Sequence, residues 1–342
     1  MKKFVLFFIL LSFMLCYTGY PQDSWSQKSD FPGSARNGAC GFVIGNYCYI
    51  GNGSGGRDFY KYDPTIDSWS SISNYPGTVI ALNCCFSING KGYVGCGGYN
   101  GFSANDFYEY DPQADTWTRK ADFAGASNSF VSFSIGNKGY VITGYQYDYK
   151  YYKFTYEYDP QTDSWTRKAD FPGNARADAF GFTIGTKGYV GCGSDKSNSY
   201  NDFYEYDPQN DTWIRKADFP ESRDCQTSFS IDNKGYVVLG RNVNQSYTGE
   251  LWEYDILKDN WIQKKTFSGS INCKAVGISI NSKGYICTGG IETHSSFKEL
   301  WEYTPCPTTI PADGLVAYYP FKGNANDESG NCLLYTSPSP RD

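Results

Sequence analysis

A single histidine, His294, occurs in the 342 residues of the chain. Any mechanism needing two imidazoles, such as a His-rich zinc or copper centre, is excluded on that ground. A nucleophilic triad has to use His294 or do without an imidazole. His294 stands in a Thr/Ser stretch and reads as a solvated loop residue rather than a base. The twelve cysteines contain no C-x-x-C pair, so a thiolate zinc site lacks its usual spacing. Ten of them (Cys40, Cys48, Cys84, Cys85, Cys96, Cys192, Cys225, Cys273, Cys287 and Cys306) lie away from the two ends of the chain. Cys40 and Cys84 hold equivalent repeat positions, as do Cys96 and Cys192, which is the pattern of a small apolar packing residue. Buried free thiols are the favoured reading, although export permits disulfides.

Composition says what frame must hold such groups. Aromatics make up 18% of the chain, with 31 Tyr and 8 Trp, beside 37 Gly and 15 Pro. Aromatic residues favour pleated strands, and Gly with Pro supplies turns between them. Two Met and a mean hydropathy of −0.52 argue against a polytopic membrane protein. The formal charge is −6, so no basic face invites nucleic acid.

The two ends read differently from the rest. Residues 1–19 have the form of an export signal: Lys2 and Lys3, then an apolar run over 4–15 too short for a stable membrane anchor, with Gly19 as the residue before cleavage. No transmembrane span is expected in the mature chain. Residues 332–342, CLLYTSPSPRD, look like the in-frame translation of a transposase adapter used in sequencing libraries. On that reading the gene is truncated.

Between these ends a repeat of about 48 residues dominates. Trp recurs at 25, 69, 117, 165, 213 and 261, each with an Asp two residues earlier: Asp23, Asp67, Asp115, Asp163, Asp211 and Asp259. Tyr62, Tyr110, Tyr158, Tyr206 and Tyr254 stand seven residues before five of those Trp, and Tyr303 begins a sixth unit without its Trp. Segments such as SINGKGYV (87–94), SIGNKGYV (134–141) and SIDNKGYV (230–237) place two turn formers between alternating apolar runs, the signature of a hairpin. Asp-Pro at 111–112, 159–160 and 207–208 marks a second turn. Each unit therefore predicts four short antiparallel strands.

Four strands per unit at this period mean propeller blades. The chain resembles the kelch-repeat family over roughly 23–305. The matching residues are the Gly pair after the second strand (Gly97-Gly98, Gly289-Gly290), the Tyr of the third strand and the Trp of the fourth. The pair reads Gly144-Tyr145, Gly193-Ser194 and Gly240-Arg241 in three units, where altered loops are expected. The expected fold is all-β, a six-bladed kelch-type propeller of four-stranded blades. Its N-terminal strand, DSWSQKS at 23–29, is expected to complete the last blade. The periodic Trp and Tyr are expected to pack between blades. Residues 306–313 form a Pro/Thr linker, and 314–331 resemble the opening of a laminin-G or concanavalin-like domain.

The resemblance also implies where a ligand meets the fold: the loops entering each first strand and leaving each second strand. By register the entering set is Arg36, Ile80, Ser127, Arg176, Arg223 and Asn272. Three Arg around one funnel suit a carboxylate or sulfate, although such an Arg also serves to brace the strand start. The leaving loops contribute Arg57, Tyr99, Tyr145, Tyr147, Arg241, Glu292 and His294, and Tyr beside Asn and Asp suits a sugar. Alternatively, Tyr147 to Tyr152 merely continue the third blade's edge. A copper site of the galactose-oxidase type, a fold relative, cannot be assembled from one His.

The function expected from these observations is non-catalytic binding of a glycan or an extracellular protein by a secreted or cell-surface chain, with no cofactor and no nucleic-acid partner. The alternative is a metal-free sugar isomerase resembling N-acetylneuraminate epimerase (mutarotase), in which Arg36, Arg176, Arg223, Glu292 and His294 hold the sugar carboxylate and move a proton. A pure protein-interaction scaffold is the third reading.

Overall fold

The hairpin signals fold as strands. The computed structural model describes residues 22–306 other than 55, 79, 100, 101, 126, 127, 147–149 and 292–294, and for Tyr99 the backbone alone. Six four-stranded antiparallel sheets follow one another along it. Their first strands are Cys40–Ile44, Cys84–Ile88, Val131–Ile135, Phe180–Ile184, Thr227–Ile231 and Val276–Ile280. In the first five blades the remaining strands follow in chain order. The sixth takes Ser24–Lys28 as its outermost strand, antiparallel to Leu300–Thr304, with Trp25 opposite Tyr303. The same cross-strand pair, Tyr62 with Trp69 or Tyr158 with Trp165, recurs in the other blades. The two ends of Ser24–Thr304, a compact unit, are thus joined by one sheet.

The Tyr…Asp-x-Trp signature turns out to be a staple between blades. Asp163 has a left-handed φ of 48°, a conformation Asp tolerates better than most side chains. Its carboxylate accepts from the Tyr158 hydroxyl at 2.7 Å and from the Ala121 N–H of the preceding blade at 2.9 Å. Two residues on, the Trp165 indole N–H donates back to the Ala121 carbonyl at 3.0 Å. Asp67, Asp115, Asp211 and Asp259 repeat the motif, with Tyr partners at 2.6–2.8 Å. At the closure, Trp25 donates to the Lys265 carbonyl at 3.0 Å.

Close approach of the sheets explains the Gly of the K-G-Y hairpins. A Cβ on Gly139 would lie 2.2 Å from the Phe86 ring of the preceding blade. The core accordingly consists of inter-blade clusters, one of which joins Phe86, Tyr93 and Phe107 to Val141 and Tyr158. At the end of the second strand the first Gly of the expected pair is constrained by its backbone. Gly193 has φ 87°, and a Cβ there would stand 2.6 Å from the Ala177 carbonyl oxygen. The following position is not left-handed, and Ser194, Tyr145 and Arg241 are accepted there, although a Cβ on Gly290 would stand 2.8 Å from the Ser295 carbonyl oxygen.

The nine cysteines within this unit are free thiols, eight of them buried and Cys85 half-buried. Cys306 corrects the expectation of a free thiol: it is disulfide-bonded. It belongs to the other unit, Met1–Asp23 with Pro305–Asp342, where its N–H donates to Asp23 at 2.7 Å. The expected export signal at 1–19 and the segments at 314–331 and 332–342 lie outside the described residues.

Candidate functional site

Each first strand is entered through one residue with left-handed backbone: Gly38, Leu82, Ser129, Asp178, Cys225 and Lys274, at φ 54–60°. These six positions are equivalent, and they ring the mouth of the central channel. Five successive links around the ring are backbone hydrogen bonds, from Leu82 to Gly38, Asp178 to Ser129, Cys225 to Asp178, Lys274 to Cys225 and Gly38 to Lys274, at 2.9–3.3 Å. A φ near +57° in five non-glycine residues costs roughly 1–2 kcal/mol each, so the surrounding blades must impose it. The ring and the residue after each member line a cavity of about 130 Å³. Its polar side chains are Asn83, Ser129, Asp178, Gln226 and Lys274.

Charge concentrates on one side of the ring. Burial pushes the Asp178 carboxyl above the ordinary aspartate range, and Asp224 adds to the shift. The Lys274 ammonium, a hydrogen bond with Ser129 and the Arg241 guanidinium pull against it. Asp224, itself buried, is held by Arg241 through two parallel bonds, Nε to Oδ1 at 3.1 Å and Nη2 to Oδ2 at 3.0 Å. The Ser194 hydroxyl donates to the same Oδ2 at 2.9 Å. This fork is positioned by a short ribbon in which Arg223–Asp224 pairs with Arg241–Asn242.

The three arginines of the entering set sit two residues before the ring, and the structure commits them elsewhere. Arg36, Arg176 and Arg223 are fully buried. Arg36 donates to both oxygens of Asp58 at 2.9 Å and to the Asn52 carbonyl at 2.9 Å, with Phe31 under its guanidinium at 4.6 Å. Arg176 holds Asp202 with Nη1 and Nη2, donates to the Cys192 carbonyl at 2.9 Å, and stacks on Tyr200 at 4.1 Å. Arg223 pairs with Glu221 and Glu250. All three brace their own blades. Their backbone carbonyls have a second use: Gly144, Gly193 and Gly289 donate to Arg176, Arg223 and Arg36 respectively, at 2.8–2.9 Å.

The leaving loops divide. Arg241 joins the charged cluster. Arg57 donates to the carbonyls of Gly77 and Thr78 and so ties down the next entering segment. Tyr145 lies in a separate ribbon, Tyr145–Gln146 against Lys150–Tyr151, and not in the third blade's sheet. Its ring is 5.3 Å from that of Tyr151. Tyr99 is opposite Phe102 near the tip of the long second-blade hairpin, where Phe102 is 74% exposed. Tyr147, Glu292 and His294 lie outside the described residues.

Sequence reasoning missed Asp178, Asp224, Lys274 and Ser129. The signal was one of offset: the register of the entering loops was right, but the channel lies two residues beyond the arginines. Among the described residues no group of three or more His, Cys, Asp or Glu is placed to hold a metal ion.

No family profile and no curated protein matches the chain. Among solved structures, that of YjhT is similar, with a TM-score of 0.71 and 18% identity over 80% of this chain and 95% of YjhT. The likeness is one of fold. Nearly the whole of YjhT is covered, so the six-bladed unit accounts for the match.

Proposed function

We propose that the protein is a metal-free sugar isomerase of the mutarotase kind, acting on an anionic sugar at the channel mouth. The observation that carries this reading is Asp178, a carboxyl held above its ordinary range in a cavity that also contains Lys274. A carboxyl whose proton is held more tightly than an ordinary aspartate's is the stronger base, as proton abstraction by general base catalysis requires. Opening a cyclic hemiketal needs the anomeric hydroxyl to lose a proton and the ring oxygen to gain one. The Asp178 carboxylate accepts the first, and the Lys274 ammonium or a solvent water supplies the second. Reclosure on the other face reverses both transfers. Lys274 also attracts the sugar carboxylate, while the Arg241–Asp224 fork keeps a second cation beside the mouth. Tyr99, Tyr145, Tyr147, Arg57, Glu292 and His294, on the surrounding loops, are the proposed outer contacts. Secretion or display at a cell surface belongs to the same proposal and rests on the leader-like residues 1–19.

A second reading, glycan binding without catalysis, is favoured by the Tyr145–Tyr151 ring pair and the exposed Phe102 on the same face. Ligand-observed NMR with neutral and anionic sugars separates the readings. Faster anomer exchange of N-acetylneuraminate, abolished in Asp178→Asn, supports the isomerase. Saturation transfer without faster exchange overturns it in favour of a binding module. Silence across the panel overturns both sugar readings and leaves a protein partner.

A further inference from the structure

Along the first strands, second residues meet their neighbours in adjacent blades. The six are Gly41, Cys85, Ser132, Gly181, Ser228 and Gly277. The hydroxyls of Ser132 and Ser228 donate to the carbonyls of Cys85 and Gly181, in the preceding blades, at 3.1 and 2.8 Å. The Cys85 thiol makes the equivalent bond to the Gly41 carbonyl at 3.0 Å. A serine would therefore meet the packing need at this position, and sulfur adds something the fold does not require. Beside it stands a second thiol. Cys40, next to Gly41 in the facing strand and 3% exposed, belongs to the core cluster against which the half-buried Cys85 packs. The Gly41 N–H also donates to the Cys85 sulfur at 3.2 Å.

We propose that Cys85 and Cys40 form a peroxide-reactive dithiol between the first strands of the first two blades, with Cys85 as the attacking thiol and Cys40 as the resolving one. In the first step the Cys85 thiolate attacks a hydroperoxide oxygen. An S–O bond forms, the O–O bond breaks, and the leaving alkoxide or hydroxide is protonated to alcohol or water. In the second, the Cys40 sulfur attacks the Cys85 sulfenic acid. The S–S bond forms, the S–O bond breaks, and hydroxide leaves with the Cys40 proton as water. Two thiols and one peroxide thus become one disulfide, one alcohol or water, and one water.

The division of labour follows from the surroundings. The Cys40 thiol beside it, then the Gly41 N–H, draw the Cys85 thiol below its ordinary range against the effect of burial. Burial pushes the Cys40 thiol up. Attack needs a thiolate with some access, and resolution needs only proximity. The neighbouring pair, Cys84 and Cys96, shares one core cluster, but both thiols are fully buried.

The test exposes the reduced full-length chain to graded hydrogen peroxide, followed by alkylation and peptide mapping with fragmentation. Cys192, a buried thiol pushed up to about 12, is the internal control. A Cys40–Cys85 disulfide is expected to form about tenfold or more faster than Cys192 is lost. Cys40→Ser is expected to trap Cys85 as a sulfenic acid that dimedone labels, and Cys85→Ser, which keeps the inter-blade bond, to leave Cys40 reduced. If Cys40→Ser does not fold, the wild-type map decides alone. Alkylation of Cys85 undiminished by peroxide, or a disulfide confined to Cys84 and Cys96, overturns the proposal.

Discussion

Substituting Asp163 by Ala removes one inter-blade staple, and its cost follows from the geometry. Two donors lose their acceptor: the Tyr158 hydroxyl at 2.7 Å, on a side chain that is fully buried, and the Ala121 N–H at 2.9 Å. Hydrogen bonds to a charged group contribute about 1.5–3 kcal/mol each, and partial exposure of Asp163 argues for the lower end, about 3 kcal/mol for the pair. The left-handed φ of 48° adds roughly 1 kcal/mol for Ala, which lacks the local hydrogen bonding that helps Asp there. The total is about 4 kcal/mol, a large share of the 5–15 kcal/mol usual for a folded domain. Asp163→Asn keeps one acceptor oxygen and the tolerance of this backbone, so about 1–2 kcal/mol is expected. Urea unfolding followed by Trp fluorescence measures both, since Trp165 reports directly on the junction. Tyr158→Phe, combined with Asp163→Ala, should show a coupling of about 1–2 kcal/mol. Equal losses for Asn and Ala, or a loss under about 1 kcal/mol for Ala, would refute the staple as a source of stability.

Asp178 and Arg176 give two more expectations. Because the folded-state pKa of Asp178 is raised, the folded chain holds that proton more tightly than the unfolded one. Its ionisation therefore costs stability progressively as pH rises from the ordinary carboxylate range through the folded value, and the cost is fully present above it. Asp178→Asn is expected to match the wild-type Tm at the acid end of the carboxylate range and to exceed it at pH 8; a difference constant between the two contradicts the raised-carboxyl argument. Arg176→Ala leaves Asp202 and the Cys192 carbonyl without their donor and is expected to cost about 3–5 kcal/mol in urea titration, while sugar affinity of the folded fraction stays unchanged. Wild-type stability with lost sugar binding would return Arg176 to the ligand site.

How much the chain disclosed depends on whether a feature repeats. The Tyr and Trp positions were legible as packing residues because six copies at one spacing must bury their faces against each other. The Asp of the same signature was legible only as a repeated position; its acceptor role across the junction needs the preceding blade in place. The arginines illustrate the opposite case. Arg36, Arg176 and Arg223 share a register, so they invited a common ligand, yet each has a carboxylate some 22–27 residues later in its own blade. A carboxylate that far along the chain, in a loop of varying length, gives no periodic signal.

The sequence by itself determined the number of blades, the four strands of each, the closing role of Ser24–Lys28 and the packing of the aromatic repeat. Those are local patterns, repeated, and each copy reports the same physical requirement. Only the tertiary structure decided which residues meet across blades. Asp178, Asp224 and Lys274 come from three blades, and Cys40 and Cys85 from two, each pair separated by roughly one whole repeat. Their juxtaposition depends on how far each blade is rotated from the last and on the left-handed turn that opens each first strand. That geometry is fixed by inter-blade contacts such as Phe86 on Gly139, which bring distant side chains together without leaving a mark beside them in the chain.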